Sequence, residues 1–150
     1  MFDRLMSVLV AGPREGRAAT AAFCVRLAGG FVFVVFGVAK FTSHASEVAS
    51  FREYGLPSPE VFVAAIGVLE IVGGLLLIAG LATRLAALAL AGDMVGAIIT
   101  SGIGEGELIS LTLAPAELLG MLFLLRAGPG RAALDHRLAR GPSVGPRSAG

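Results

Sequence analysis

Four apolar stretches, each long enough to cross a bilayer, each carry an ionisable residue in their interior: Arg26 in the first, Glu70 in the second, Asp93 in the third and Glu117 in the fourth. A charge at the centre of a spanning helix costs roughly 2.5–3.5 kcal/mol on insertion scales, so four of them require partners inside a bundle. Open strands would leave backbone groups unsatisfied in hydrocarbon, and no alternating barrel segments occur. The fold class is therefore all-α, a four-transmembrane-helix bundle with short loops. A hydrophobic content of 55% and a mean hydropathy of +0.83 exceed what a soluble domain of 150 residues could hide. That length also excludes a second catalytic domain.

The spans are predicted at about 19–41, 60–81, 84–101 and 108–126, so that 19–126 forms the membrane domain. Residues 1–18, with Arg4, Arg14, Glu15 and Arg17 around a short apolar run, read as an interfacial arm rather than a cleaved signal peptide. Between 42 and 59 the chain turns polar, yet Val48, Phe51, Tyr54 and Leu56 recur at nearly helical spacing, which suits a short helix on the membrane surface. Pro59 suits the first turn of the second span, where its missing N–H costs nothing. The tight 80–84 connection makes spans two and three an antiparallel hairpin, and 102–107 reads as an acidic turn. Gly128-Pro129-Gly130 ends the fourth span. The tail, 127–150, holds a short amphipathic piece with Leu134 and Leu138 and is expected to be disordered from about 141.

Basic residues set orientation. Arg4, Arg14, Arg17, Arg84, Arg126, Arg131, Arg137, Arg140 and Arg147 lie on one side; Lys40 and Arg52 lie on the other. Both termini are expected in the cytoplasm. With a net charge of +1 and no basic run, nothing points to nucleic acid.

At about 1.5 Å of rise per residue, Glu70, Asp93 and Glu117 each sit near the middle of their spans and should share one depth. Arg26 lies nearer the cytoplasmic end, where it can partly snorkel. Small residues flank the acids at helical spacing: Gly67, Gly73 and Gly74 around Glu70; Ala89, Gly96 and Ala97 around Asp93; Ala114 and Gly120 around Glu117. Close helix contact in lipid requires such residues, and Gly92 with Gly96 is also a small-xxx-small match. On the first helix Arg26, Gly29, Gly30, Phe33, Gly37 and Lys40 fall on one stripe. One nearby cation cannot neutralise three carboxylates, so at least one acid is expected to hold a proton. Pro115 cannot donate to Leu111 and should loosen the fourth helix beside Glu117.

Glu70, Asp93, Glu117 and Arg26 are thus the candidate catalytic set, with proton handling as its content. The competing reading is structural: buried charges that fix helix register, above all Arg26 with Glu70 as a pair. Lys40 and Arg52 read first as interfacial anchors, and Phe31, Phe33 and Phe36 as core or lipid-facing. Cys24, the single cysteine, excludes a dithiol relay within this chain. His44 and His136 lie in loop and tail, so no metal-ligand spacing, haem ligand, flavin fingerprint or iron–sulfur set is present.

Several segments in order resemble the DoxX-like membrane proteins: Arg26 with the Gly-rich sequence after it, Phe36-Gly37-Val38-Ala39-Lys40-Phe41, Gly55-Leu56-Pro57-Ser58-Pro59, Leu69-Glu70-Ile71-Val72-Gly73-Gly74, Gly80-Leu81-Ala82-Thr83-Arg84-Leu85, and Gly128-Pro129-Gly130-Arg131-Ala132-Ala133-Leu134-Asp135. Arg26, Lys40, Glu70 and Arg84 match family positions, whereas Phe36 stands where a His is common. The resemblance implies a multi-pass protein of the prokaryotic inner membrane. It also implies redox work, as a subunit of thiosulfate:quinone oxidoreductases or a partner of enzymes in thiol and oxidative-stress defence. A quinone is then the expected cofactor, Lys40, Phe33 and Gly37 the candidates for holding it, and other subunits of a membrane redox complex or a second copy of the chain the expected partners besides lipid. The alternatives are a non-catalytic anchor for soluble enzymes, docked at the Arg-rich tail, and a small proton-coupled transporter. Because fold and function separate readily, the site must decide.

Overall fold

The computed structural model describes residues 15–138. Most of the expected N-terminal arm, and the tail beyond 138, lie outside them. Four helices are long and apolar enough to cross a membrane: Gly16–Thr42, Pro59–Ala79, Thr83–Gly104 and Leu108–Ala127. The protein is an all-helical, multi-pass membrane protein. We number the helices α1 (Gly16–Thr42), α2 (His44–Glu53), α3 (Pro59–Ala79), α4 (Thr83–Ala97, continued by a π-helical segment over Ile98–Gly104), α5 (Leu108–Ala127) and α6 (Leu134–Leu138). Phe31, Val61, Val68, Leu75, Leu88, Ile99 and Leu119 are among the large apolar side chains that face outward, as lipid contact requires.

The buried residues of α1, Ala19, Ala22, Arg26, Gly29, Gly30, Phe33 and Gly37, follow the stripe read from spacing. They pack chiefly on α3, and glycine sets the distance. A Cβ on Gly30 would lie 2.8 Å from the Gly74 carbonyl oxygen, and one on Gly37 2.8 Å from that of Gly67. These two antiparallel pairs bring the backbones into contact and fix the register of α1 on α3. The α3–α4 turn closes with Gly80 at φ +67, its N–H donating to Leu77 O at 3.0 Å while Leu81 N–H donates to Leu76 O at 2.9 Å. That is the paired bonding by which a left-handed glycine satisfies the last helical carbonyls.

At the far end of α4 the helix widens instead of stopping at Ser101. Thr100 Oγ1 donates to Gly96 O at 2.9 Å and Ser101 Oγ to Ala97 O at 3.0 Å. Hydroxyls bonded to the carbonyls four residues back compete with the backbone ladder, and the amides reach one residue further, giving the π-helical turn. The expected acidic turn of 102–107 therefore shrinks to Glu105, Gly106 and Glu107.

Residues 128–138 fold back under the bundle. Arg131 N–H donates to Ala19 O at 3.2 Å and Asp135 N–H to Gly80 O at 2.9 Å. The Asp135 carboxylate accepts from Ala82 N at 2.7 Å and from Thr83 N at 3.1 Å, satisfying the first amides of α4 where Ala82 sits at φ +49. Asp135→Ala leaves two donors at that turn without their acceptor, and thermal unfolding in detergent should register a loss of about 1–3 kcal/mol.

Candidate functional site

The two halves of the bundle differ. Where α1 begins and α5 ends, Ala22, Leu77, Ala87, Leu90, Met121 and Leu124 pack with no exposed surface. The half beneath α2 instead holds a partly open cavity of about 580 Å³. Phe33, Phe36, Ile66, Leu69, Ala97 and Leu113 form its walls, and Phe51 of α2 and Tyr54 just after it cover it. Phe51 and Tyr54 pack ring to ring, 5.7 Å between centroids.

Lys40, Glu70 and Asp93 converge on this cavity. Lys40 Nζ lies 3.0 Å from Glu70 Oε2 and donates to Oε1 at 3.2 Å. The two side chains are only 12% and 5% exposed, which makes this a buried ion pair rather than an interfacial anchor. Asp93 lines the same cavity as Glu70. Asp93 Oδ2 is buried with no hydrogen-bond partner. The cluster thus offers an ammonium paired with a carboxylate and an unpartnered carboxyl oxygen on Asp93 to whatever enters.

Glu117 also lines the cavity, but deeper. Its Oε2 lies 2.8 Å from where a Cβ on Gly29 would stand, while the glycine register sets Glu70 level with about residue 34 of α1. Five residues correspond to roughly 7 Å, so the three acids do not share one depth.

Arg26 is elsewhere, a correction to its grouping with the acids. Its Nη1 donates to Pro129 O at 3.1 Å and its Nη2 to Arg131 O at 3.4 Å, and its guanidinium stands 5.5 Å from the centre of the Phe23 ring. It lies too near the start of α1 to reach Glu70, and the Gly128-Pro129-Gly130 turn presents carbonyls at its own level. Arg26 clamps the C-terminal segment. Gly37 is likewise no cavity residue: it packs on Gly67. Arg52 pairs on the surface with Glu60 at 3.3 Å, both ends exposed.

A second polar group at the outer mouth escaped the sequence reading. Ser101 Oγ donates to Ser110 Oγ at 2.6 Å, and Ser110 Oγ donates to Glu107 Oε2 at 2.7 Å. All three line the cavity, with Tyr54 and Glu47 beside them. Burial, and then the negative charge of Glu107, push the Tyr54 phenol above its ordinary range, so it stays a neutral hydroxyl. A sequence signal existed in Ser101 and Ser110 as isolated hydroxyls near the ends of facing spans, but only the π turn brings them together.

A family model described as DoxX matches residues 21–103, from the first turns of α1 through the π-helical segment. The chain belongs to the DoxX family. Lys40, Glu70 and Asp93 of this family member all lie within the matched region, and Glu117 lies beyond it. It is 36% identical over 136 residues to "Uncharacterized membrane protein Rv3486" of Mycobacterium tuberculosis, covering 78% of this chain and 80% of that protein. It is 35% identical over 108 residues to "Putative oxidoreductase CatD" of Bacillus subtilis, covering 67% of this chain and 79% of that protein. No solved structure matches.

Proposed function

We propose that this DoxX family protein is the membrane subunit of a redox system, linked to thiosulfate or thiol chemistry, and that its cavity binds a quinone or quinol. One observation carries the reading: a cavity of about 580 Å³ inside the membrane span, apolar and aromatic on its walls, with its buried ionisable groups gathered at Lys40, Glu70 and Asp93. Its volume suits a small-molecule site, and a few placed polar groups in an apolar pocket orient such a ligand. The name of the Bacillus subtilis relative is consistent with redox work.

A quinone, when bound, supplies a couple of two electrons and two protons. The chain's own residues supply the rest. Asp93 Oδ2, buried without a partner, has the chemistry to accept from a quinol hydroxyl, and the third N–H that the Lys40 ammonium keeps after its contacts to Glu70 can donate to a quinone carbonyl. Glu70 and Asp93 hold and exchange protons, while Phe33, Phe36 and Leu69 keep water from the ring. Electrons come from a partner protein. By the distribution of Arg and Lys, the end covered by α2 faces away from the cytoplasm of a prokaryotic cell.

The test is mass spectrometry of lipid and protein that co-purify with the chain from its native membrane in mild detergent. Quinone in near-stoichiometric amount, lost on Glu70→Gln while the protein still inserts, is the expected result. Quinone that stays with Glu70→Gln would overturn the role of the cluster. A soluble enzyme recovered in place of quinone, and released by removing residues 131–150, would make the protein an anchor.

A further inference from the structure

The cavity is sealed at one end and wired at the other. Toward the start of α1, Leu77, Leu90, Met121 and Leu124 are fully buried; of the buried polar groups at that end, Arg26 and Asp135 are bonded to the C-terminal segment and the α3–α4 turn, His136 Nε2 lies 2.9 Å from Gly130 O, and the Thr83 hydroxyl has no partner. Toward α2, buried Ser101 and Ser110 lead by hydrogen bonds of 2.6 and 2.7 Å to Glu107, whose residue is exposed at the surface.

We propose that Ser101, Ser110 and Glu107 form the route by which the Lys40, Glu70 and Asp93 cluster exchanges protons with water, so that exchange occurs through the α2-covered end of the bundle alone. This rests on the reading that the cluster handles protons. A hydroxyl both donates and accepts, so it can take a proton on a lone pair while releasing its own; in the packed half the buried Thr83 hydroxyl makes no hydrogen bond, and Ala86, Ala87 and Leu90, all buried and apolar, separate it along α4 from Asp93. Outward transfer runs in balanced hops. Ser101 Oγ accepts a proton from cavity water and passes its own to Ser110 Oγ. Ser110 passes its own to the Glu107 carboxylate, and Glu107 releases one to bulk water. Inward transfer reverses the order.

Two details fit. The Ser101 hydroxyl has a second acceptor in Ala97 O at 3.0 Å, so it can turn between hops without losing a partner. Asp93 and Ser101, eight residues apart, are about 12 Å apart along the helix, and the cavity of about 580 Å³ that both line holds bridging water at about 30 Å³ each. The groups facing this route are Lys40 from α1, Glu47 from α2 and Tyr54 just after it, Glu70 from α3, Asp93 from α4, and Glu107 and Glu117 at and within α5. Tyr54 lines the cavity beside Ser101.

The experiment uses the full chain in liposomes of one known orientation, a pH jump on one side at a time, and the infrared carboxyl band that disappears in Glu70→Gln. The band should respond only to a jump on the α2 side. Ser101→Ala and Ser110→Ala should each slow the response by about tenfold or more, and Ser101→Thr, which keeps the hydroxyl, should restore it. A response from the other side, or wild-type rates in both alanine variants, would overturn the route while leaving the cluster's proton role standing. A carboxyl band that never responds in the wild type would overturn both.

Discussion

Lys40→Met should cost about 3–5 kcal/mol of stability, the range for breaking a buried ion pair by removing one partner. Lys40 is the only lysine in the chain, and its Nζ sits 3.0 Å from Glu70 Oε2 with both side chains nearly enclosed. Without the ammonium, Glu70 and Asp93 are left as neighbouring buried acids with no opposing charge among the cavity-lining residues. The double variant Lys40→Met, Glu70→Met should recover most of the loss, because replacing both partners with apolar groups removes the desolvation cost along with the attraction. Thermal unfolding of the four proteins of this cycle in one detergent measures the coupling directly. Additive effects would mean that the two groups do not act as a pair.

Gly74→Ala should separate α1 from α3 and cost about 1–3 kcal/mol, as overpacking does. Its Cβ would stand 2.6 Å from Gly30 O and 3.0 Å from Val34 N, both backbone atoms of a helix that cannot yield locally. Gly92→Ala is the control. Gly92 is also in a spanning helix, but nothing lies within 4 Å of where its Cβ would stand. That change should be neutral or stabilising by up to about 1 kcal/mol, the ordinary advantage of Ala over Gly in a helix. Equal behaviour of the two variants would mean that the glycine pairs do not set the helix contact.

Those glycines also explain how far the sequence could be read. The stripe on α1 that runs through Arg26, Gly30, Phe33 and Gly37 follows from a period of 3.6 residues, a property of the single helix. Which residue of α3 each member meets is a property of two helices, and it decides the chemistry. Pairing Gly30 with Gly74 and Gly37 with Gly67 sets Glu70 where Lys40 can lean back to it and leaves Arg26 beside Gly80 and the C-terminal turn. The two cations of α1 thereby exchange the roles that their depth in the span suggested. Glu117 differs for a similar reason: it is central in its own span and its carboxyl lies against Gly29, the middle of α1, whereas the pairs of Gly30 with Gly74 and Gly37 with Gly67 shift α3, and Glu70 with it, along α1.

Four apolar spans of sufficient length, their helical character, the buried face of α1 and the family to which the chain belongs are all legible in the sequence, because hydropathy and period act along one chain segment and the bilayer leaves few alternatives. The Lys40, Glu70 and Asp93 cluster, the clamp of Arg26 on residues 129 and 131, the π turn that brings Ser101 to Ser110 and the cavity beneath α2 were decided by the tertiary structure alone. Each depends on the rotation and axial shift of one helix against another, and a shift of a single residue, about 1.5 Å of rise and 100° of rotation, would pair different side chains from the same sequence.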